Sequence, residues 1–186
     1  NAPSYRQLSL AAMLARLDAM DAEEGDAEGW GFVGSSLGGW LAARWAELRP
    51  DRVARLVLLC PPFDPGRRWP GLLPAGAMEM WRRGSLLLPD ATGTPQPVHY
   101  GFYEEALAQP AFPSVSCPAR IVHGRGDTRV PIEGSRRYAA DHPSVTVVEV
   151  DDGHDVAALG VLLSVARWLL GESPLAPGHP VRTSEA

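Results

Sequence analysis

This sequence predicts an α/β fold, a mostly parallel sheet flanked by helices, and three observations carry that prediction. Four short apolar runs, Trp30–Val33, Val53–Cys60, Ala119–His123 and Val145–Val150, have the length and spacing of strands. The runs alternate with helix-compatible stretches, and strand-then-helix units build a parallel layer with right-handed connections. The residues able to carry chemistry, Ser36, Asp127 and His154, fall just after the first, third and fourth runs. In a parallel layer, those three positions share one edge.

The chain opens on Asn1, and Ala2-Pro3-Ser4 adds no element of its own. From Ser9, a fitting N-cap, Leu10, Met13, Leu14, Leu17 and Met20 recur at helical steps. An acidic, turn-rich link from Asp21 to Glu28 then leads to the first strand. The stretch Gly29–Ala43 is the centre of the sequence. Within it, Gly34-Ser35-Ser36-Leu37-Gly38 has the form Gly-x-Ser-x-Gly between a strand and a helix. A serine on so sharp a turn takes a strained backbone, and side chains two positions away on either side would collide with it. Gly34 and Gly38 remove those side chains, and Gly39 lets the helix lie close to the sheet. The helix sets Leu41, Ala42, Trp45 and Leu48 on one face and stops at Pro50. In the second strand, Leu56-Val57-Leu58-Leu59 is continuously apolar, which suits a parallel strand covered on both faces.

Between Pro61 and Ser116 prolines and glycines become dense, and two tryptophan-bearing patches precede Leu86-Leu87-Leu88. A connection of this length inside one domain is usually functional. It reads as a lid insertion, about 61–116, with short helices near Ala75–Arg83 and Tyr100–Ala108. Its apolar content argues against full disorder. After the third strand Pro131 opens a helix through Ala140. After the fourth, an amphipathic helix from Val156 runs to Gly171. The sequence is therefore one domain over 1–171 with a loose, Pro-, Ser- and Gly-containing tail over 172–186.

Composition narrows the function classes. With 186 residues and 45% hydrophobic content, the chain can bury a core. A net charge of −5 argues against a nucleic-acid or anionic-membrane partner. No run is long enough to span a membrane, and no signal peptide opens the chain. Cys60 and Cys117 lack metal-ligand spacing. They should stand at opposite ends of the sheet, too far apart for a disulfide, and remain free thiols. The simplest reading is a cytoplasmic protein without metal or organic cofactor.

The chemistry follows from the order of the three residues. A serine hydroxyl needs a base to take its proton, and the base needs a carboxylate to hold its tautomer. Ser36, Asp127 and His154 supply these groups in the order Ser, Asp, His, and the N–H of Leu37 at a helix N-terminus would face an oxyanion. Asp64, which also follows a strand, is the rival acid. His123 reads as a structural, hydrogen-bonded residue and His99 as a lid residue. His142 and His179 read as loop and tail residues, and Asp151, Asp152 and Asp155 as turn or capping groups. Trp69, Trp81 and Leu86 are the expected acyl contacts.

Three segments carry a family resemblance: Gly34–Gly39, His123-Gly124-Arg125-Gly126-Asp127-Thr128-Arg129-Val130-Pro131 and Asp152-Gly153-His154-Asp155. Together they resemble the signatures of the α/β-hydrolase superfamily, and most closely its small bacterial esterases of the YqiA type. The likeness covers about residues 1–170. It implies hydrolysis of small carboxylic esters through an acyl-enzyme on Ser36, with His154 as base and then acid and Asp127 orienting it. It departs at the front, where the family's first strands, including one ending in a His-Gly oxyanion loop, have no counterpart before Ser36. The strand holding Ser36 should then have an unpaired edge.

Two other functions fit the same residues. A thioesterase or acyltransferase would use the same triad. A non-catalytic ligand-binding protein would keep the scaffold without turnover.

Overall fold

The four apolar runs do form strands, and each takes its place by the burial of its side chains. The structure, a computed structural model, describes residues 7–25, 29–89 and 92–172. The opening Asn1–Ser4 and the expected tail from 173 onward, with His179, lie outside the described residues. In chain order the elements are α1 (Leu10–Glu24), β1 (Trp30–Ser35), α2 (Leu37–Leu48), β2 (Val53–Leu59), α3 (Pro65–Leu72), α4 (Ala77–Arg83), β3 (Ser85–Pro89), β4 (Pro95–His99), α5 (Tyr100–Ala108), β5 (Ala119–Gly124), α6 (Glu133–Asp141), β6 (Val145–Val150) and α7 (Leu159–Leu169). They divide into two units, residues 27–63 with 113–186 and residues 1–26 with 64–112.

The first of these units holds a four-stranded sheet of order β1-β2-β5-β6, parallel throughout. Side chains alternate across it. Val57, Leu59, Val122, Val148 and Val150 meet Val161, Val165 and Trp168 of α7 on one face. The opposite face carries Leu56, Leu58 and Ile121, all fully buried. On that side α2 packs with Trp45 edge-on to Phe32, ring centroids 5.3 Å apart. The buried side of α2 is Trp40, Ala42, Ala43, Trp45 and Ala46. This corrects the expected face: Leu41 is half-buried and Leu48 exposed, because the small alanines, not the leucines, let the helix sit down on the sheet. Among the described residues β1 pairs with β2 alone, so the strand leading to Ser36 is an edge strand, as expected. Val33 on it is 53% exposed.

In the second unit, Ser9 caps α1, its hydroxyl oxygen accepting the N–H of Ala12 at 3.2 Å. That hydroxyl donates in turn to Glu105 on α5 (2.9 Å), whose carboxylate also accepts the N–H of Leu10 at 2.7 Å. The helix continues through Asp21–Glu24, which were expected to be link. Nothing in Asp-Ala-Glu-Glu breaks a helix, and the stop waits for Gly25 at φ +59°. The insertion contains the two expected helices, α4 and α5, and also α3 and the antiparallel β3–β4 hairpin. Gly66 lets α3 lie against α5, since a Cβ there would stand 2.8 Å from the Ala106 carbonyl carbon.

Candidate active site

Ser36 stands between β1 and α2 with φ +50° and ψ −126°, a backbone region that L-residues rarely enter. Such strain persists only where the surroundings over-determine it. Here the Ser36 N–H donates to the Leu59 carbonyl at 2.8 Å, and the Ser36 carbonyl accepts the N–H of Gly39 at 2.8 Å. Two glycines permit the turn. A Cβ on Gly34 would overlap the Gly38 carbonyl and stand 2.8 Å from the Gly39 Cα, and one on Gly39 would lie 3.0 Å from the Gly34 oxygen. Gly38 differs from expectation, because a Cβ there meets no atom within 4 Å. The crowding comes from helix backbone crossing directly over Gly34, and Gly38 itself points away from it. Leu37 is the first residue of α2, where the N–H has no carbonyl one turn back to bond within the helix.

Asp127 follows β5 in a tight turn that fixes its carboxylate. Oδ1 accepts the N–H groups of Arg129 (2.9 Å) and Val130 (2.8 Å). Oδ2 accepts Nδ1–H of His154 at 2.8 Å. Burial alone would raise the Asp127 carboxyl, but the Val130 N–H, the His154 hydrogen bond and the Arg129 N–H outweigh it and hold the group below its ordinary value.

His154 lies after β6, at the far edge of the sheet from β1. The loop carrying it folds back across the sheet end. A Cβ on Gly124, at the end of β5, would overlap the carbonyls of Gly153 and Asp152. The Cys60 thiol, just after β2, lies 3.8 Å from the Gly153 carbonyl. The loop therefore spans from β6 over β5 to β2, the neighbour of the strand that leads to Ser36. Asp152 shapes this loop as a turn residue, its carboxylate accepting the N–H of Ala157 (2.9 Å) and of Gly153 (2.8 Å). Those two bonds, Ala157 first, hold its carboxyl below the ordinary value.

The other candidates separate clearly. Asp64 N-caps α3 at φ +57° and faces Arg67 at 3.7 Å, so the carboxylate bonded to His154 is that of Asp127. His123 is fully buried between Ser135 and the Val130 carbonyl, each at 2.8 Å, which agrees with a hydrogen-bonded role. His99 ends β4 at the N-cap of α5. His142 follows α6, stacked on Tyr138. Asp151 pairs with Arg125 on the surface. Cys60 and Cys117 are free and buried. Burial, with Asp127 beside it, pushes the Cys60 thiol up to about 11.

Trp69 and Trp81 stack in the second unit with centroids 4.8 Å apart, beside Phe102 and Tyr103. Trp81 is fully buried and its indole N–H donates to the Val98 carbonyl at 2.7 Å. Its visible work is packing within that unit. Leu86 is half-buried on β3. Sequence reasoning missed Cys60 and Ser135 as neighbours of the Asp127 turn. Neither carries a local signal, since both meet it only through the fold.

Cys60, His123 and Asp127 offer ligand-type atoms within 4.8 Å of one another. The lone pair a cation would need on His123 Nε2 is unavailable, because that nitrogen faces the Val130 carbonyl and must carry a proton. Among the described residues no helix is long and apolar enough to cross a membrane.

Comparison with known proteins supports this architecture. A protein-family model described as the alpha/beta hydrolase fold matches residues 1–106. A mouse mitochondrial palmitoyl-protein thioesterase, ABHD10, is 33% identical over 115 residues, covering 58% of this chain and 38% of that protein. The chain thus matches well under half the length of that curated relative. The solved structure of mouse alpha/beta hydrolase domain-containing protein 10 superposes with a TM-score of 0.68 at 27% identity, over 89% of this chain and 71% of that one. A putative hydrolase from Agrobacterium vitis S4 shares the fold, with a TM-score of 0.75 at 22% identity over 90% of this chain and 69% of that one. With its parallel sheet, its strained serine turn and this family match, the chain belongs to the α/β-hydrolase fold family.

Proposed function

We propose that the chain is a serine hydrolase that cleaves small carboxylic esters through an acyl-enzyme on Ser36. The observation that carries the reading is the 2.8 Å hydrogen bond from His154 Nδ1–H to Asp127 Oδ2. It fixes the tautomer in which Nε2 is bare and basic. Nε2 takes the Ser36 hydroxyl proton as Oγ attacks the acyl carbon, and the resulting oxyanion is stabilised by the N–H of Leu37. Collapse expels the alcohol, which leaves with the proton from His154. Water then repeats the sequence on the acyl-enzyme and returns the free acid. Asp127 stays ionised throughout and stabilises the imidazolium. No metal or organic cofactor enters these steps.

Trp69 and Leu86 are the acyl contacts to test first, ahead of Trp81, whose side chain is committed to packing. The cytoplasmic location belongs to the same proposal and is supported by two free buried thiols.

Thioester cleavage is the second reading, favoured by the thioesterase among the relatives. Matched oxygen-ester and thioester substrates of one acyl chain separate the two. Faster oxygen-ester turnover, abolished in Ser36→Ala, supports the first reading; a preference for the thioester supports the second. Ligand binding that survives Ser36→Ala without any turnover in the parent overturns both and leaves a binding protein.

A further inference from the structure

We propose that His123 is a positioning residue that holds the Asp127 carboxylate toward His154, an inference that rests on the function proposed above. The ring lies on β5, four residues before Asp127, with no exposed surface. Its protonation is set by its neighbours. Nε2 stands 2.8 Å from the Val130 carbonyl, which can only accept, so Nε2 bears the hydrogen. With a single ring hydrogen, on Nε2, Nδ1 accepts the hydroxyl hydrogen of the buried Ser135 at 2.8 Å. His123 thus carries a hydrogen on Nε2, whereas His154 donates from Nδ1.

That tautomer acts on Asp127 in two ways. Nε2 also lies 3.3 Å from Asp127 Oδ2, so the His123 ring stands behind the oxygen that receives the His154 hydrogen. The Val130 peptide is clamped from both ends, its carbonyl by His123 and its N–H by Asp127 Oδ1 at 2.8 Å. The Cys60 thiol lies within 4.8 Å of the same carboxylate and closes that side of the turn. With both oxygens held, the carboxylate cannot rotate about its own axis without breaking a buried bond. Keeping Oδ2 in line with Nδ1 of His154 is what the base requires, and a misplacement of about 1 Å costs up to roughly 10²-fold in rate.

The test has an arm that does not depend on turnover. In the parent protein, nitrogen-15 NMR of labelled histidine near neutral pH should find His123 protonated on Nε2 and bare on Nδ1. An Nδ1–H tautomer overturns the proposal whatever the activity. The second arm compares His123→Phe, which fills the ring site without donors, with His123→Gln, whose amide restores an N–H near the Nε2 position. For a cooperatively folded Phe variant we expect kcat to fall about 10- to 100-fold with KM nearly unchanged, and the Gln variant to recover most of it. The far-downfield proton of the His154–Asp127 bond should weaken in Phe and return in Gln. Parent-like kcat in a folded Phe variant, or equal losses in Phe and Gln, contradicts positioning. If Phe does not fold, the parent tautomer and the Gln variant decide. Absence of turnover in the parent would sink the hydrolase reading alone, and the downfield proton would still report on His123.

Discussion

His154 Nδ1 donates to Asp127 Oδ2 at 2.8 Å, and the other oxygen of that carboxylate is already engaged by the N–H groups of Arg129 and Val130. One carboxylate thus closes its own turn and aims the histidine of another loop. Asp127→Asn separates the two duties. The amide oxygen can still accept the backbone N–H groups, while the amide nitrogen presents a donor to Nδ1 and forces the wrong tautomer on His154. The fold should persist with lower stability, because the ionised carboxylate contributes to it, and ester turnover should fall by about 10⁴-fold. A folded Asn variant with turnover near that of the parent would remove Asp127 from the mechanism.

Gly124 is required by close approach, since the carbonyls of Asp152 and Gly153 pass over its Cα. Gly124→Ala should cost about 1–3 kcal/mol of stability and displace the His154 loop. Gly38→Ala is the control, because its Cβ enters open space in a helix, where alanine is favoured by about 0.5–1 kcal/mol. Urea unfolding of the two variants should therefore shift in opposite directions. Equal shifts would contradict the geometry of the serine turn or of the loop.

Acid should unfold the sheet unit through its carboxylates. Asp127 and Asp152 both titrate below their ordinary values in the fold. Each contributes stability that is fully present above the unfolded carboxyl value, about 3.9, and is lost as pH falls through the lower folded value. The urea midpoint should be flat down to about pH 5 and decline steeply below about pH 4. Asp152→Asn should make that decline shallower; an unchanged slope would show that Asp152 is not one of the linked groups.

In the other unit, Glu105 serves as an acceptor for the first turn of α1, taking hydrogen bonds from Ser9, Leu10 and Ala11. Glu105→Ala should cost about 1–2 kcal/mol and speed amide exchange at Leu10 and Ala11. Glu105→Gln, which keeps an acceptor, should lose less. Unaltered exchange in the Ala variant would mean that Ser9 caps the helix unaided.

What the sequence reveals follows how local each cause is. The strands β1, β2, β5 and β6 are legible because covered parallel strands are continuous apolar runs, and their order along the chain sets Asp127 beside His154. Helix α3 is not legible: Pro65-Gly-Arg-Arg-Trp-Pro has no helical apolar period, and its place comes from Gly66 fitting against α5. The β3–β4 hairpin hides behind Pro89, Pro95 and Pro97, which argue against a strand except where, as in a two-stranded ribbon, every strand is an edge. The role of Gly34 is readable from the motif, but that of Gly38 is not, since only the path of the helix decides which glycine is crowded. Cys60 and Ser135 join the Asp127 turn through tertiary contacts that no spacing records.

The most direct measurement is intact mass after exposure to a serine-reactive phosphonate, with Ser36→Ala in parallel. A single adduct is expected on the parent, located to Ser36 by peptide mapping and lost in the Ala variant. No adduct on a folded parent, or an adduct that persists in Ser36→Ala, would contradict a nucleophilic Ser36.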